Sequence, residues 1–461
     1  MPRHLKSATK TSGNNANSTN VASIVRNVID DIRANGDAAV RKYSEKFDSW
    51  SPPSFKLSDE QIQAAIAAVP EQTIQDIKEA QANVRRFAEA QRASLKDFEM
   101  ELHGPGVFLG QRSLPVNRVG AYIPGGRYPL LASAHMTILT AKVAGVKHVI
   151  GCTPPIAGRI PNATIAAMHL AGADEIYLLG GVQAIAAMAL GTETVPKVDF
   201  LAGPGNAFVA EGKRQLFGEV GIDLFAGPTE ILIVADEHAD PYTCAVDLLS
   251  QAEHGPDSPA ILVTNSEAVG RQTQQWVEKL LTILPTGNIA GIAWESFGEI
   301  IVTDSLDEAY AVADEYAAEH VEILTQNPRE ALDKMSNYGA IFLGENTCVS
   351  YGDKLAILTI LTTQCIGTNH VLPTRKAAKF TGGLWVGKFL RTTTYQEVRN
   401  PQASGELGRL CGRASRAENF EGHARAGDLR AAKHLKDEYE WIIIKARFKA
   451  QLVSKAIRKP G

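Results

Sequence analysis

The fold is decided by residues 138–181, ILTAKVAGVKHVIGCTPPIAGRIPNATIAAMHLAGADEIYLLGG. Two short apolar runs, HVIGC at 148–152 and EIYLLGG at 175–181, flank an Ala-rich helical pattern. Continuous rather than alternating apolar strands are what a parallel sheet covered on both faces requires. Outward from this stretch the same unit recurs. VNRVGAYIP (116–124) precedes it and VDFLAGPGN (198–206) follows it. EILIVAD (230–236), a helix at YTCAVDLLSQAEH (242–254) and AILVTN (260–265) form another unit. EIIVTD (299–304), a helix near Glu308–Glu319, VEILTQ (321–326) and AIFLG (340–344) form the next. The reading is α/β, with two parallel-sheet domains. Upstream, from about Asn20 to Arg92, apolar residues recur at three- and four-residue steps and predict three helices, the second opened by a Ser58 or Asp59 cap.

Composition narrows the function classes. The 461 residues carry a net charge of −4, 44% hydrophobic and 21% charged residues, an ordinary globular composition with ample material for a core that argues against a nucleic-acid or membrane-surface protein. No apolar run reaches the roughly 18 residues that a membrane-spanning helix needs. Five scattered cysteines without a CxxC pair indicate neither a disulfide framework nor a thiolate metal site, and fit a reducing, cytoplasmic setting. The acid-free N-terminus, residues 1–20, reads as a flexible arm, with organelle targeting as the alternative.

No GxGxxG follows any strand, so the usual dinucleotide fingerprint is missing. Glycine-rich turns at 124–126, 180–181 and 203–205 each follow an apolar strand, where open α/β sheets bind ligands. Gln251 and His254 stand three apart at the end of a helical pattern, so an amide oxygen and an imidazole can share one cation; a plain helix end capped by Gly255 is the structural alternative. Glu319-His320 at a helix-to-strand corner suits a general base, or simply a solvated corner. Asp353 is either a loop ligand or a turn residue, and His423 either a ligand or a surface residue. Two His, one Asp and one Gln oxygen suit Zn²⁺ without excluding Mn²⁺ or Co²⁺.

PGGRYPLLASAHMT (124–137), LAGPGNAFVAEGKR (201–214), DLFAGPTEILIVAD (223–236), LLSQAEHGPDS (248–258), AAEHVEI (317–323) and GTNHVLPT (367–374) occur in the order seen in histidinol dehydrogenase, and the chain resembles that family from about Ser23 to Leu429. The resemblance implies an intertwined homodimer with two incomplete Rossmann-like domains, residues 21–121 with 230–385 and residues 122–229, and a C-terminal dimerisation segment at 386–461. It implies one zinc per subunit on Gln251, His254 and Asp353, with His423 supplied by the partner subunit. It implies Glu319 and His320 as the catalytic pair, Thr229, His370 and Glu418 as substrate contacts with Glu418 reaching across the dimer, and Tyr122, Gln183 and Asn206 as NAD contacts. The implied reaction is a double oxidation of an amino alcohol through an aldehyde to an acid, L-histidinol to L-histidine first among the substrates.

Two departures bear on that reading. Thr229 stands where the family has Ser, and GPT with SYGDK is closer to the sulfopropanediol dehydrogenase branch, which oxidises a small sulfonated diol. An uncharged segment, Leu355 to Gln364, separates Asp353 from His370. It is either a true insertion, which would displace these residues and impair the enzyme, or a gene-model artefact. As a strand-like apolar stretch it is an aggregation hazard where exposed.

Overall fold

A computed structural model describes residues 2–9, 17–102, 105–125, 130–224, 227–353 and 367–442, with only the backbone of 17–19 and 353. The segment Leu355 to Gln364 lies outside the described residues. The chain divides into two compact units, Met1–Ser94 with Pro115–Leu390, and Leu95–Leu114 with Arg391–Gly461.

The chain opens with strand β1 (Arg3–Lys6), so part of the stretch read as a flexible arm is sheet. The helical pattern that follows becomes α1 (Asn17–Asp48), α2 (Asp59–Ala67) and α3 (Glu71–Ser94). α1 is two helices joined at a kink at Gly36, where φ is +50°. Ser58 caps α2 as expected: its hydroxyl accepts the Gln61 N–H while the Gln61 side chain accepts the Ser58 N–H. Next come β2 (Phe98–Glu101), β3 (Val107–Pro115) and β4 (Arg118–Tyr122). A rod of α4 (Leu131–Ala134), a π-helical turn (His135–Leu139) and α5 (Thr140–Ala144) leads to β5 (His148–Thr153), α6 (Asn162–Ala171), β6 (Glu175–Leu178), α7 (Gly181–Leu190), β7 (Phe200–Ala202), α8 (Ala207–Leu216) and β8 (Gly221–Ile222). β9 (Ile231–Ala235), α9 (Pro241–Ala252), β10 (Ala260–Thr264), α10 (Glu267–Leu281), α11 (Gly287–Phe297), β11 (Gly298–Val302), α12 (Leu306–Tyr316), β12 (His320–Leu324), α13 (Ala331–Lys334), β13 (Ala340–Leu343) and α14 (Val349–Asp353) follow. The second unit adds β14 (Leu390–Val398), α15 (Pro401–Ala417) and α16 (Glu421–Leu435).

β4 to β8 form a five-stranded, all-parallel sheet in the order β6-β5-β4-β7-β8. β9 to β13 form a second parallel sheet, β11-β10-β9-β12-β13, whose outer edge is covered by antiparallel β1. β9 shows why these strands read as unbroken apolar runs: all five of its residues are buried. Ile231, Ile233 and Ala235 pack with Leu248 and Leu249 of α9, while Leu232 and Val234 face Ala309 and Tyr310 of α12. The helices α1 to α3, grouped by sequence with the second sheet, pack instead on elements of the first: α1 on α7 and α8, α2 and α3 on α6.

One buried ion pair fixes the turn after β7. Lys213 and Asp223 are each 3% exposed and paired side chain to side chain. Lys213 Nζ donates to the Gly203 carbonyl at 2.9 Å and Asp223 Oδ2 accepts the Gly203 N–H at 2.7 Å, so both polar groups of that peptide unit are held. Gly203 has φ +119°, and a Cβ there would stand 2.1 Å from the Tyr122 carbonyl oxygen, so no other residue fits. Removing one partner of such a pair strands a charge in the interior. Lys213→Met is therefore expected to cost about 3–5 kcal/mol, seen as a lower denaturant midpoint; an unchanged midpoint would show that the pair is not what holds the turn.

Candidate active site

The second sheet gathers the chemistry at the amino ends of its strands. β9 and β10 are parallel, with Ala260 opposite Ile231, so the helix between them, α9, must run back against the strand direction. Its last turn, carrying Gln251, and the following His254 therefore arrive at the amino edge. β12 begins there too, with His320 opposite both Ile231 and Ala340. Gln251, His254, Glu319 and His320, far apart in sequence, share this edge because the crossover is parallel.

The Glu319-His320 corner is buried, at 6% and 2% exposure, so it is not a solvated turn. α12 stops at Tyr316, and Ala317 turns the chain with φ +50°. His320 Nδ1 lies 3.0 Å from the Glu230 carbonyl oxygen, and the His320 N–H reaches the same oxygen at 3.2 Å. A carbonyl only accepts, so Nδ1 carries the proton and Nε2 keeps the basic lone pair. Glu319 Oε2 accepts the Glu230 N–H at 3.0 Å and stands 3.5 Å from His320 Nδ1. Glu230 thus holds both members of the pair through its backbone. Its own carboxyl, pushed up by burial, accepts the Arg375 N–H at 2.8 Å. Thr229, directly before it, is half-buried.

The His370 loop is tied to the same region. Thr374 Oγ1 accepts the Gly227 N–H, and the Asn369 amide donates to the Met136 carbonyl at 2.9 Å. His370 is half-buried and near the wholly buried His135, whose pKa is pushed down to about 3 by burial and by the charge of His370.

Gln251 has no exposed surface. Its Nε2 donates to Ser250 Oγ at 3.3 Å, while Oε1 is buried without a hydrogen-bond partner. An oxygen so placed suits a divalent ion, which is the fit expected of a zinc ligand. His254 is exposed, two residues past the helix end, with Glu253 rather than Gly255 as the C-cap. Asp353 ends α14, and its side chain lies outside the described residues. His423 sits exposed on α16 against Phe420, and Glu418 is the exposed C-cap of α15. Among the described residues no group of three or more His, Cys, Asp or Glu is placed to hold a metal.

The expected NAD residues lie at the opposite, carboxyl edge of the first sheet. Tyr122 ends β4, Gln183 is in the first turn of α7, and Asn206 caps α8. The Tyr122 hydroxyl accepts the Gly181 N–H at 3.0 Å, and burial pushes its phenol up. Gln183 is fully buried, with Oε1 unpartnered. Asn206 Oδ1 is taken by the N–H groups of Phe208 and Val209, a structural role alongside any contact its amide NH2 makes. The Gly180–Gly181 and Gly203–Gly205 turns bring backbone together at this carboxyl edge, where open parallel sheets bind ligands.

Sequence reasoning missed Glu230, whose only signal was its place just before an apolar strand. It also missed a buried carboxyl pair. Glu322, two residues after His320 on the same face of β12, has no exposed surface and meets Asp247 of α9, one turn before Gln251. Burial and mutual repulsion push Glu322 up; burial pushes Asp247 up. Glu322 is thus protonated in the fold where the unfolded chain is ionised. Its contribution to stability is full below the ordinary Glu range and is lost as pH rises towards its raised value. Glu322→Gln should flatten this slope, measured as Tm between about pH 5 and 8.5 relative to an ordinary Glu near 4.3; equal slopes in both proteins would show that no proton is held there.

Comparison with known proteins agrees with this architecture. The histidinol dehydrogenase family model matches residues 11–431. A histidinol dehydrogenase homolog of Shouchella clausii is 57% identical over 90% of this chain and 95% of its own length. Sulfopropanediol 3-dehydrogenase of Ruegeria pomeroyi is 46% identical over 94% of this chain and 97% of its own. The crystal structure of histidinol dehydrogenase from Elizabethkingia anophelis superposes with a TM-score of 0.83 at 34% identity, covering 94% of this chain and all of that one. With buried Glu319 and His320 at one sheet edge and glycine turns at the edge of the other, the chain belongs to the histidinol dehydrogenase family of oxidoreductases.

Proposed function

We propose that the protein is a zinc-dependent, NAD-linked dehydrogenase that carries a small amino alcohol through its aldehyde to the acid. The observation that carries this reading is the lock on His320: Nδ1–H is spent on the Glu230 carbonyl, so Nε2 is the base. Its buried setting matches a group that takes the proton of a substrate hydroxyl. Glu319, anchored by the Glu230 N–H, takes a proton from the water that attacks the aldehyde. His320 then accepts the proton of the hydrate in the second oxidation. Bound NAD supplies the hydride acceptor for each oxidation, and bound zinc orients and polarises the substrate. Gln251, His254 and Asp353, with the partner subunit's His423, would hold the metal; Tyr122, Gln183 and Asn206 would contact the dinucleotide; Thr229, His370 and the partner subunit's Glu418 would contact the substrate.

A homodimer is part of the reading. The second unit exposes Phe98, Met100, Leu410 and Phe420 at 49–56%, apolar surface of the kind that a partner subunit would cover. L-histidinol is the first substrate to test. A second reading, a small sulfonated diol, is favoured by the 46% identity to sulfopropanediol 3-dehydrogenase and by Thr229.

Steady-state assays with each alcohol should give two NADH per molecule oxidised for the true substrate; no NADH from either would reject both substrates. His320→Ala should lower kcat by about 10²–10⁴-fold while zinc content stays at one per chain. Glu319→Gln should leave the alcohol half-reaction less affected than aldehyde oxidation. Equal loss in both halves would assign the water step elsewhere. His254→Ala should release zinc on dialysis, read by metal analysis, and retention of a full equivalent would remove His254 from the ligand set.

A further inference from the structure

Asp48, the last residue of α1, has no part in the chemistry described so far, yet it reaches the glycine turn of the first sheet from 135 residues away. Its Oδ2 accepts a hydrogen bond from Gln183 Nε2 at 2.8 Å. An ionised carboxylate can only accept. The NH2 of Gln183 must therefore face Asp48, which removes the usual freedom to exchange the amide's two ends. Oε1 is forced to the other side. There it lies 2.7 Å from where a Cβ on Gly181 would stand, and Gly181, at φ +63°, is the residue that leaves it room.

Gln183 is 0% exposed and its Oε1 has no hydrogen-bond partner. A buried, unpaired acceptor costs about 1–3 kcal/mol, and folded proteins rarely keep one without a use. The surrounding groups are already committed. The Gly181 N–H is taken by Tyr122 and the Gly203 N–H by Asp223. Among the described residues Gln183 Oε1 is a buried acceptor left open at this edge, as Thr153 Oγ1 is at the end of β5, and a donor from a bound molecule would satisfy it.

We infer that Asp48 is a positioning residue for the dinucleotide: by holding the Gln183 NH2, it presents Gln183 Oε1 as an acceptor for an amino group of NAD. Two groups of NAD share that chemistry, the nicotinamide carboxamide and the exocyclic amine of adenine. The inference rests on the cofactor reading above, in which the carboxyl edge of the first sheet holds NAD.

The test is equilibrium binding, by calorimetry on the full chain, of three probes: NAD, nicotinamide hypoxanthine dinucleotide, which lacks the adenine amine, and acetylpyridine adenine dinucleotide, which lacks the carboxamide amine. One analogue should bind the wild type about three- to tenfold more weakly than NAD, the range of one neutral hydrogen bond, and its identity names the amino group read. Asp48→Asn, which lets the Gln183 amide turn over, should weaken NAD by a similar factor and bind that analogue no worse than the wild type does. Gln183→Met should do the same without touching Asp48, and so answers the question if Asp48→Asn does not fold. A purely structural role for Asp48 would weaken all three probes in parallel, and that outcome, or equal binding of all three to the wild type, overturns the inference. Failure of the wild type to bind any of the three would instead overturn the cofactor reading.

Discussion

The carbonyl oxygen of Glu230 decides which nitrogen of His320 can act. It takes Nδ1–H at 3.0 Å, and the same residue's N–H takes Glu319 Oε2 at 3.0 Å, so one peptide segment orients both members of the pair. Glu230 can do this because it sits immediately before β9, the strand beside β12, and the register that places Ile231 opposite His320 brings its backbone to both side chains. Sheet pairing, not a side-chain network, therefore sets the geometry. Backbone groups in a buried strand hardly move, so the side chains they hold are kept in this orientation.

The two sheets use opposite edges. In the first, the turns after β4, β6 and β7 converge at the carboxyl edge, the usual place for a ligand on a parallel sheet. The second puts Glu319, His320 and the end of α9 at its amino edge. That choice leaves the strand bodies free to be pure core: β9 and β10 are buried at every position. Glu322, held up by burial beside Asp247, is a carboxyl inside that core.

The strands, the crossover helices and the Ser58 cap were legible because each rests on residues close in sequence. Glu319-His320 and Gln251 with His254 were legible as local pairs, though only the fold reveals that one edge holds all four. The partners that tune them were not. Asp48 meets Gln183 across 135 residues and Glu230 meets Glu319 across 89, and nothing in FD or TE by itself marks such contacts. β1 escaped notice for a different reason: RHLK has no strand pattern, and it pairs because β11 offers an open edge. The kink at Gly36 likewise hid inside an unbroken helical periodicity.

The direction of the crossover helices has an electrical side. A helix carries roughly half a positive charge at its amino end and half a negative charge at its carboxyl end. At the carboxyl edge of the first sheet α7 and α8 present their amino ends, a field that favours negative charge. At the working edge of the second sheet it is the carboxyl end of α9 that arrives, beside Gln251. The same back-and-forth winding thus gives the two edges helix-end fields of opposite sign before any charged side chain is counted.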